Sequence, residues 1–245
     1  MPQRSRWKAR LLAGLLAVLA VAGAVAYLGW RQSAPGVRAS VAPLPRFIGQ
    51  TTPLMLTIEA ARGNISRVEV RIVQGKTAAV VTTQPAPSGR RFETAITVQG
   101  GALGLTEGAA TLEVWARDDY WRPLRRADTP VAALPVMVDL TPPSIDVLAA
   151  TRYLHQGGGG LVAFRLKGGE SAEAHAGTLS YPSFPAADGG VRVALVALPW
   201  DFVPGTPLTV TARDEAGNIA SRGIPTEVRP RRFRTDTIEI TDGFL

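Results

Sequence analysis

From Leu11 to Trp30 the chain reads LLAGLLAVLAVAGAVAYLGW, without one charged residue. An α-helix rises 1.5 Å per residue, so this run reaches across about 30 Å, the thickness of a bilayer's hydrocarbon core. A helix that is apolar on every side must face lipid or be wholly enclosed by protein, and clustered flanking arginines argue against enclosure. Arg4, Arg6, Lys8 and Arg10 precede the run and Arg31 follows it. By the positive-inside rule, residues 1–10 form a cytoplasmic basic tail and 11–30 a transmembrane helix. Everything after Arg31 is then exported, and Tyr27 and Trp30 sit at the far interface. The lipid bilayer is thus the first predicted partner, through Leu11 to Trp30. A cleaved signal peptide is the rival, because Ala22, Ala24 and Ala26 offer Ala-x-Ala patterns. The run is longer than the roughly 7–15 apolar residues of a signal peptide, and aromatic residues close it, so a retained anchor fits better.

A net charge of +7 suggests nucleic acid until it is mapped. Five basic residues flank the apolar run, and Arg229, Arg231, Arg232 and Arg234 crowd the C-terminal segment. Of the 27 basic residues, 18 then remain between positions 32 and 228, against 17 acidic ones. A nucleic-acid surface must neutralise several phosphates from one basic face. The nearly neutral body therefore predicts no nucleic-acid partner. The chain has no cysteine, which excludes disulfide frameworks, thiolate metal sites and cysteine nucleophiles together. His155 and His175 are the two histidines, too few for most zinc or Ser-His-Asp chemistry.

Beyond Arg31, short runs rich in Val, Thr and Ile alternate with Gly and Pro turns. Strands are predicted at Val37 to Val41, Leu54 to Ala60, Val68 to Gln74, Ala78 to Thr83, Phe92 to Val98, Thr111 to Arg117 and Val131 to Val138. Leu112, Val114 and Ala116 alternate with Thr111, Glu113 and Trp115, the period of a strand with one buried face. Seven such strands with regular turns predict an immunoglobulin-like β-sandwich over 31–139. In Val138-Asp139-Leu140-Thr141-Pro142-Pro143 the two prolines forbid a continuing ladder and mark a junction. Ile145 to Leu148, Leu161 to Leu166, a weaker stretch at Thr178 to Tyr181, Val191 to Leu198, Leu208 to Arg213 and Ile219 to Ile224 then predict a second sandwich over 140–228. The fold class expected is all-β: two tandem immunoglobulin-like sandwiches after an N-terminal transmembrane helix.

TLEVWARDDYWRPLRR from Thr111 and LTVTARDEAGNIASR from Leu208 share a strand ending in Ala-Arg-Asp and a following turn, each in the penultimate strand of its module. Duplication of one fold explains both position and pattern, with convergence on a common hairpin as the alternative. The basic segment 229–245 adds an edge strand or leads toward a further domain that this chain lacks.

Several groups invite a ligand. Asp214, Glu215 and Asn218 stand at loop spacing for calcium, but too few carboxylates are near, and a hairpin with Asp214 capping, Gly217 at positive φ and Asn218 returning the chain is the plainer expectation. The glycines 157–160 are followed by neither Gly-Lys-Ser/Thr nor a helix, so they are a turn with close backbone approach, and His155 beside them is a loop residue. Neither histidine has a second ligand at helical or strand spacing. Trp115, Tyr120 and Trp121 are a candidate sugar platform set against core packing. Arg229 to Arg234 is a candidate contact for anionic lipid or wall polymer, set against a charged edge that discourages sheet pairing. No catalytic, cofactor-binding or metal-binding residue and no cofactor is therefore expected.

The succession VDLTPPSIDVLAATRYLHQGGGGLVAFRL, LTVTARDEAGN and RRFRTDTIEITDGFL, from about Val138 to the C-terminus, resembles the region upstream of the peptidase domain in bacterial lysostaphin-type (LytM-like) murein zinc metallopeptidases. Asp-x-Thr-Pro-Pro and Ala-x-Asp-x-Ala-Gly-Asn also occur in many bacterial immunoglobulin-like repeats. The resemblance implies a single-pass bacterial inner-membrane protein with its C-terminal part in the periplasm, near peptidoglycan or an associated peptidase domain. That family's zinc site uses His-x-x-x-Asp and a later His-x-His. Here Gly159 stands four residues after His155 and Leu179 four after His175, so no catalytic residue carries over. The function expected is a non-catalytic anchored region that positions or regulates a peptidase domain absent from this chain. A stand-alone envelope adhesin or scaffold is the alternative.

Overall fold

The structure, a computed structural model, describes residues 3–84, 89–124, 129–187, 189–237 and 243. One helix, α1 (Gln3–Gln32), opens the chain. Its segment Arg10–Gln32 is long and apolar enough to cross a membrane, and none of it is buried against protein. Leu and Ala hold it helical at little entropic cost, and the apolar residues lie on all sides rather than along one stripe.

The chain divides into two compact units, Met1–Asp139 and Leu140–Leu245. In the first, α1 is followed by β1 (Val37–Ala42), β2 (Phe47–Ile48), β3 (Thr52–Ala60), β4 (Ile65–Gln74), β5 (Thr77–Gln84), β6 (Arg91–Val98), β7 (Gly108–Asp118) and β8 (Ala132–Val138). They form two sheets, β1-β3-β6 and β2-β8-β7-β4-β5. Alternation sets the inner faces. Leu54, Leu56, Ile58 and Ala60 are buried from β3, and Val68, Val70 and Ile72 from β4. Val70 lies opposite Val114, and Ile72 opposite Leu112. Strand β2 was not expected: two residues pairing parallel with Met137 and Val138 are too short to display a period.

The second unit holds β9 (Ser144–Ala150), β10 (Tyr153–His155), β11 (Gly159–Lys167), β12 (Ser171–Ala176), β13 (Leu179–Ala187), β14 (Val191–Ala197), β15 (Leu208–Arg213), β16 (Ile219–Gly223) and β17 (Glu227–Arg229). Seven of these run in the order β16-β15-β12-β13-β14-β11-β9. Strand β13 belongs to both layers: up to Pro182 it pairs with β12, and from Ser183 onward with β14. Proline cannot donate to a ladder, so the change of partner falls where the ladder is weakest. The buried Ser183 secures the bend, donating to the Ala172 carbonyl at 2.5 Å and accepting from Arg192 Nε at 2.8 Å. The layers β9-β11-β14-β13 and β13-β12-β15-β16 enclose one core containing Phe164, Leu166, Val196, Phe202, Val210 and Ile224.

Strand β12 is the largest departure from expectation. Ala and Glu are depleted in strands, and SAEAHA shows no β-branched residue. Its buried face is Ala172, Ala174 and Ala176, small side chains in the same cluster as Phe164 and Phe202. Both units have the two-layer connectivity of immunoglobulin-like domains, antiparallel apart from the parallel pairs β2–β8 and β10–β17, without a disulfide. The fold is all-β behind one apolar helix.

Candidate functional site

The repeated Ala-Arg-Asp has a structural meaning in both units. Asp118 ends β7 and Asp214 follows β15, and both are buried. Each is held by the residue four positions on. Arg122 donates to both Asp118 oxygens, at 2.7 and 3.0 Å. Asp214 accepts from the Asn218 backbone N–H at 2.7 Å and from its side-chain amide at 2.9 Å. In the second unit this closes a tight hairpin in which Gly217 takes φ +84°, as the residue pattern predicts. In the first, Arg122 reaches further.

That reach builds a collar where α1 meets its sandwich. Arg122 also donates to the carbonyls of Ala34, at 3.3 Å, and Pro35, at 2.8 Å, so the short link between α1 and β1 is held to the turn after β7. Gln32 and Leu124 exchange two hydrogen bonds, Leu124 N–H to Gln32 Oε1 at 3.0 Å and Gln32 Nε2 to the Leu124 carbonyl at 3.2 Å. Arg31 donates to the Trp121 carbonyl at 3.2 Å and to the Tyr27 hydroxyl at 3.0 Å. Its guanidinium lies 4.4 Å from the Tyr120 ring centre and 5.3 Å from that of Trp121, while Arg62 lies 5.0 Å from Trp30. Such stacking is attractive because a cation meets the negative face of the ring.

The three aromatics of the candidate sugar platform are therefore parted by their partners. Tyr120 and Trp121 belong to the collar. Trp115 stands on the outer face of β7, donates to Glu113 at 2.8 Å, and is covered by Arg71 at 4.8 Å. Beside it Glu69 is buried between Arg67, at 2.7 Å, and Arg71. The hydrogen bond from Arg71 holds the Glu69 carboxyl below the ordinary carboxylate range, Arg67 adds to this, and burial opposes both.

Among the described residues, no three His, Asp or Glu side chains gather to hold a metal. His175 lies on β12 opposite Ser180 and Thr209. His155 is not in a loop: it ends β10, which pairs parallel with β17, so its backbone is fixed opposite Arg229. Within the glycine run, Gly157 lies in the turn after β10 while Gly159 and Gly160 open strand β11, and the close approach is real. Gly157 has φ +71°, and a Cβ there would lie 2.9 Å from the Phe233 ring. Gln156 accepts from the Arg231 N–H at 2.9 Å and donates to the Phe202 carbonyl at 2.7 Å. Arg229 pairs with Glu227 at 3.0 Å and lies 3.8 Å from the Tyr153 ring centre. The start of the basic segment is thus folded onto its own sandwich, while the alternation from Ile238 to Ile240 lies outside the described residues.

One surface is not marked by alternation in the residue pattern. On the outer face of β9-β11-β14-β13, Leu161 lies opposite Leu195, and Phe184 opposite Val193. Leu195 is 67% exposed and Phe184 61%, with Leu148 and Leu161 also open to solvent. The signal was there: β11 and β14 carry apolar residues at consecutive positions rather than at alternate ones.

Helix, collar and strand order together define a chain of two immunoglobulin-like sandwiches behind an apolar helix. No protein-family model matches it, and no curated protein matches its sequence. Among solved structures it is similar to a marsupial T cell receptor, at 13% identity and TM-score 0.27, covering 77% of this chain and 100% of that one. It is also similar to the D1–D4 ectodomain fragment of ICAM-5, at 14% identity and TM-score 0.29, covering 79% of this chain and 54% of that one. The fold assignment rests on the strand connectivity itself.

Proposed function

We propose that the chain is a membrane-tethered envelope protein that acts by position, holding a murein metallopeptidase domain outside residues 1–245 at a set distance from the bacterial inner membrane, in the periplasm. The collar carries this reading. A spacer transmits position only if it is joined stiffly to its anchor, and the bonds from Arg31, Gln32 and Arg122 join α1 to the first sandwich. The sequence likeness from Val138 onward to the region upstream of LytM-like peptidases supports the choice of partner. A second reading, an envelope scaffold that binds another protein directly, is favoured by the apolar outer face around Leu195 and Phe184, since contiguous exposed apolar surface marks interaction sites. A photo-crosslinking amino acid at Leu195 in the native cell separates them. Adducts with a zinc murein peptidase support the first, adducts with a non-hydrolytic envelope protein support the second, and a chain that forms neither refutes both.

A further inference from the structure

We propose that the collar of the first sandwich is itself a membrane-binding surface, with Trp121 and Leu124 seated in the interfacial layer of the bilayer that α1 crosses. The inference rests on α1 spanning that bilayer and adds a second, peripheral contact made by the folded domain.

Depth follows from the bonds. Arg10 and Arg31 bracket the apolar run of α1, so Arg31 lies near the boundary between hydrocarbon and headgroups, with Tyr27 and Trp30 at the level where amphipathic rings settle. The turn after β7 is fixed to that same level, because Arg31 bonds the Trp121 carbonyl and Gln32 exchanges two bonds with Leu124. The link from Gln32 to Val37 gives the sandwich no slack to stand away, since its Ala34 and Pro35 carbonyls are held by Arg122. Arg122 is in turn locked to the buried Asp118. Against this background the exposure is informative. Trp121 is 56% exposed and Leu124 74%, an apolar pair beside a helix that needs lipid. In the interfacial layer their apolar surface leaves water while the Trp indole N–H and the Arg62 guanidinium meet headgroup oxygens.

The opposite end of the sandwich supplies the internal control. Strand β4 starts beside the collar, where the Asn64 N–H donates to Asp119 at 2.7 Å, and runs to Gln74. At about 3.3 Å per residue the β4–β5 turn is about 30 Å from the collar.

The chain has no cysteine, so single cysteines can be placed and spin-labelled without background. The full-length protein is inserted in nanodiscs of phosphatidylcholine and phosphatidylglycerol, labelled singly at L19C, L124C or K76C. Accessibility to oxygen is compared with accessibility to a water-soluble nickel chelate. The expected result is a ratio at Leu124 severalfold above that at Lys76 and below that at Leu19. A Leu124 label that matches Lys76 while Leu19 reads hydrocarbon overturns the proposal and leaves the anchor intact. A Leu19 label that reads water overturns the anchor and the proposal with it.

Discussion

Replacing Asp118 with alanine should weaken the first sandwich more than any other single polar change in it. Its carboxylate is fully enclosed and meets the Arg122 guanidinium, 10% exposed, in a two-point ion pair. Removing one member of a buried pair costs about 3–5 kcal/mol, because the other charge stays desolvated. Arg122 retains the Ala34 and Pro35 carbonyls, which moderates the loss and places D118A at about 3 kcal/mol. For a domain of this size that is a fall in Tm of roughly 10–20 °C. The assay is thermal unfolding of the full chain in detergent, followed by near-ultraviolet circular dichroism. The matching D214A change in the second unit removes two hydrogen bonds to the neutral Asn218 and should cost less, about 1–3 kcal/mol. Adding R122L to D118A removes the stranded charge, so the double variant should lose less than the sum of the single losses. A D118A loss below about 1 kcal/mol, or strict additivity in the double variant, would refute the role assigned to the pair.

Two further outcomes follow from the geometry. Glu69 is held ionised by Arg71 and Arg67, so its folded pKa lies below its unfolded one, and the stability it adds is present at neutral pH and lost as pH falls through the carboxylate range. E69Q should therefore start less stable at neutral pH and lose less on acidification, as read from melting curves taken down through that range. G157V forces a left-handed backbone onto a branched residue and drives Cβ into Phe233, costing about 1–2 kcal/mol from the backbone alone and shifting the emission of the adjoining Trp200. Unchanged stability and unchanged emission would show that the glycine is not packed there.

Elements whose residues alternate cleanly were legible in the sequence. Leu54 to Ala60, Val68 to Gln74 and Thr111 to Arg117 fall within β3, β4 and β7, and the all-β class followed from them. What escaped was short or compositionally disguised. Strands β2, β10 and β17 hold two or three residues each, below the length at which a period exists. Strand β12 buries alanines, whose propensity points elsewhere, and its place between β13 and β15 overrides that preference. The collar was half visible. Tyr27 and Trp30 stand out as aromatic residues closing the apolar run, but in sequence Tyr120 and Trp121 group with their neighbour Trp115. Their partner Arg31 lies about ninety residues away, and a pairing of that range is set by the topology of the sandwich, not by any local pattern. The buried Asp118 was visible as a repeated Ala-Arg-Asp, though its bond to Arg122 was not. The repeat marked the strand, and only the fold revealed what it held.

The most direct test of the whole account is the side of the membrane on which each part lies. Single cysteines at Ser5 and Ser144 in the otherwise cysteine-free chain are exposed to a membrane-impermeant maleimide in spheroplasts. Labelling is expected at Ser144 in intact spheroplasts and at Ser5 only after lysis, with the protein in the membrane fraction. Equal labelling at both positions, or recovery of the full-length chain as a soluble protein, would contradict it.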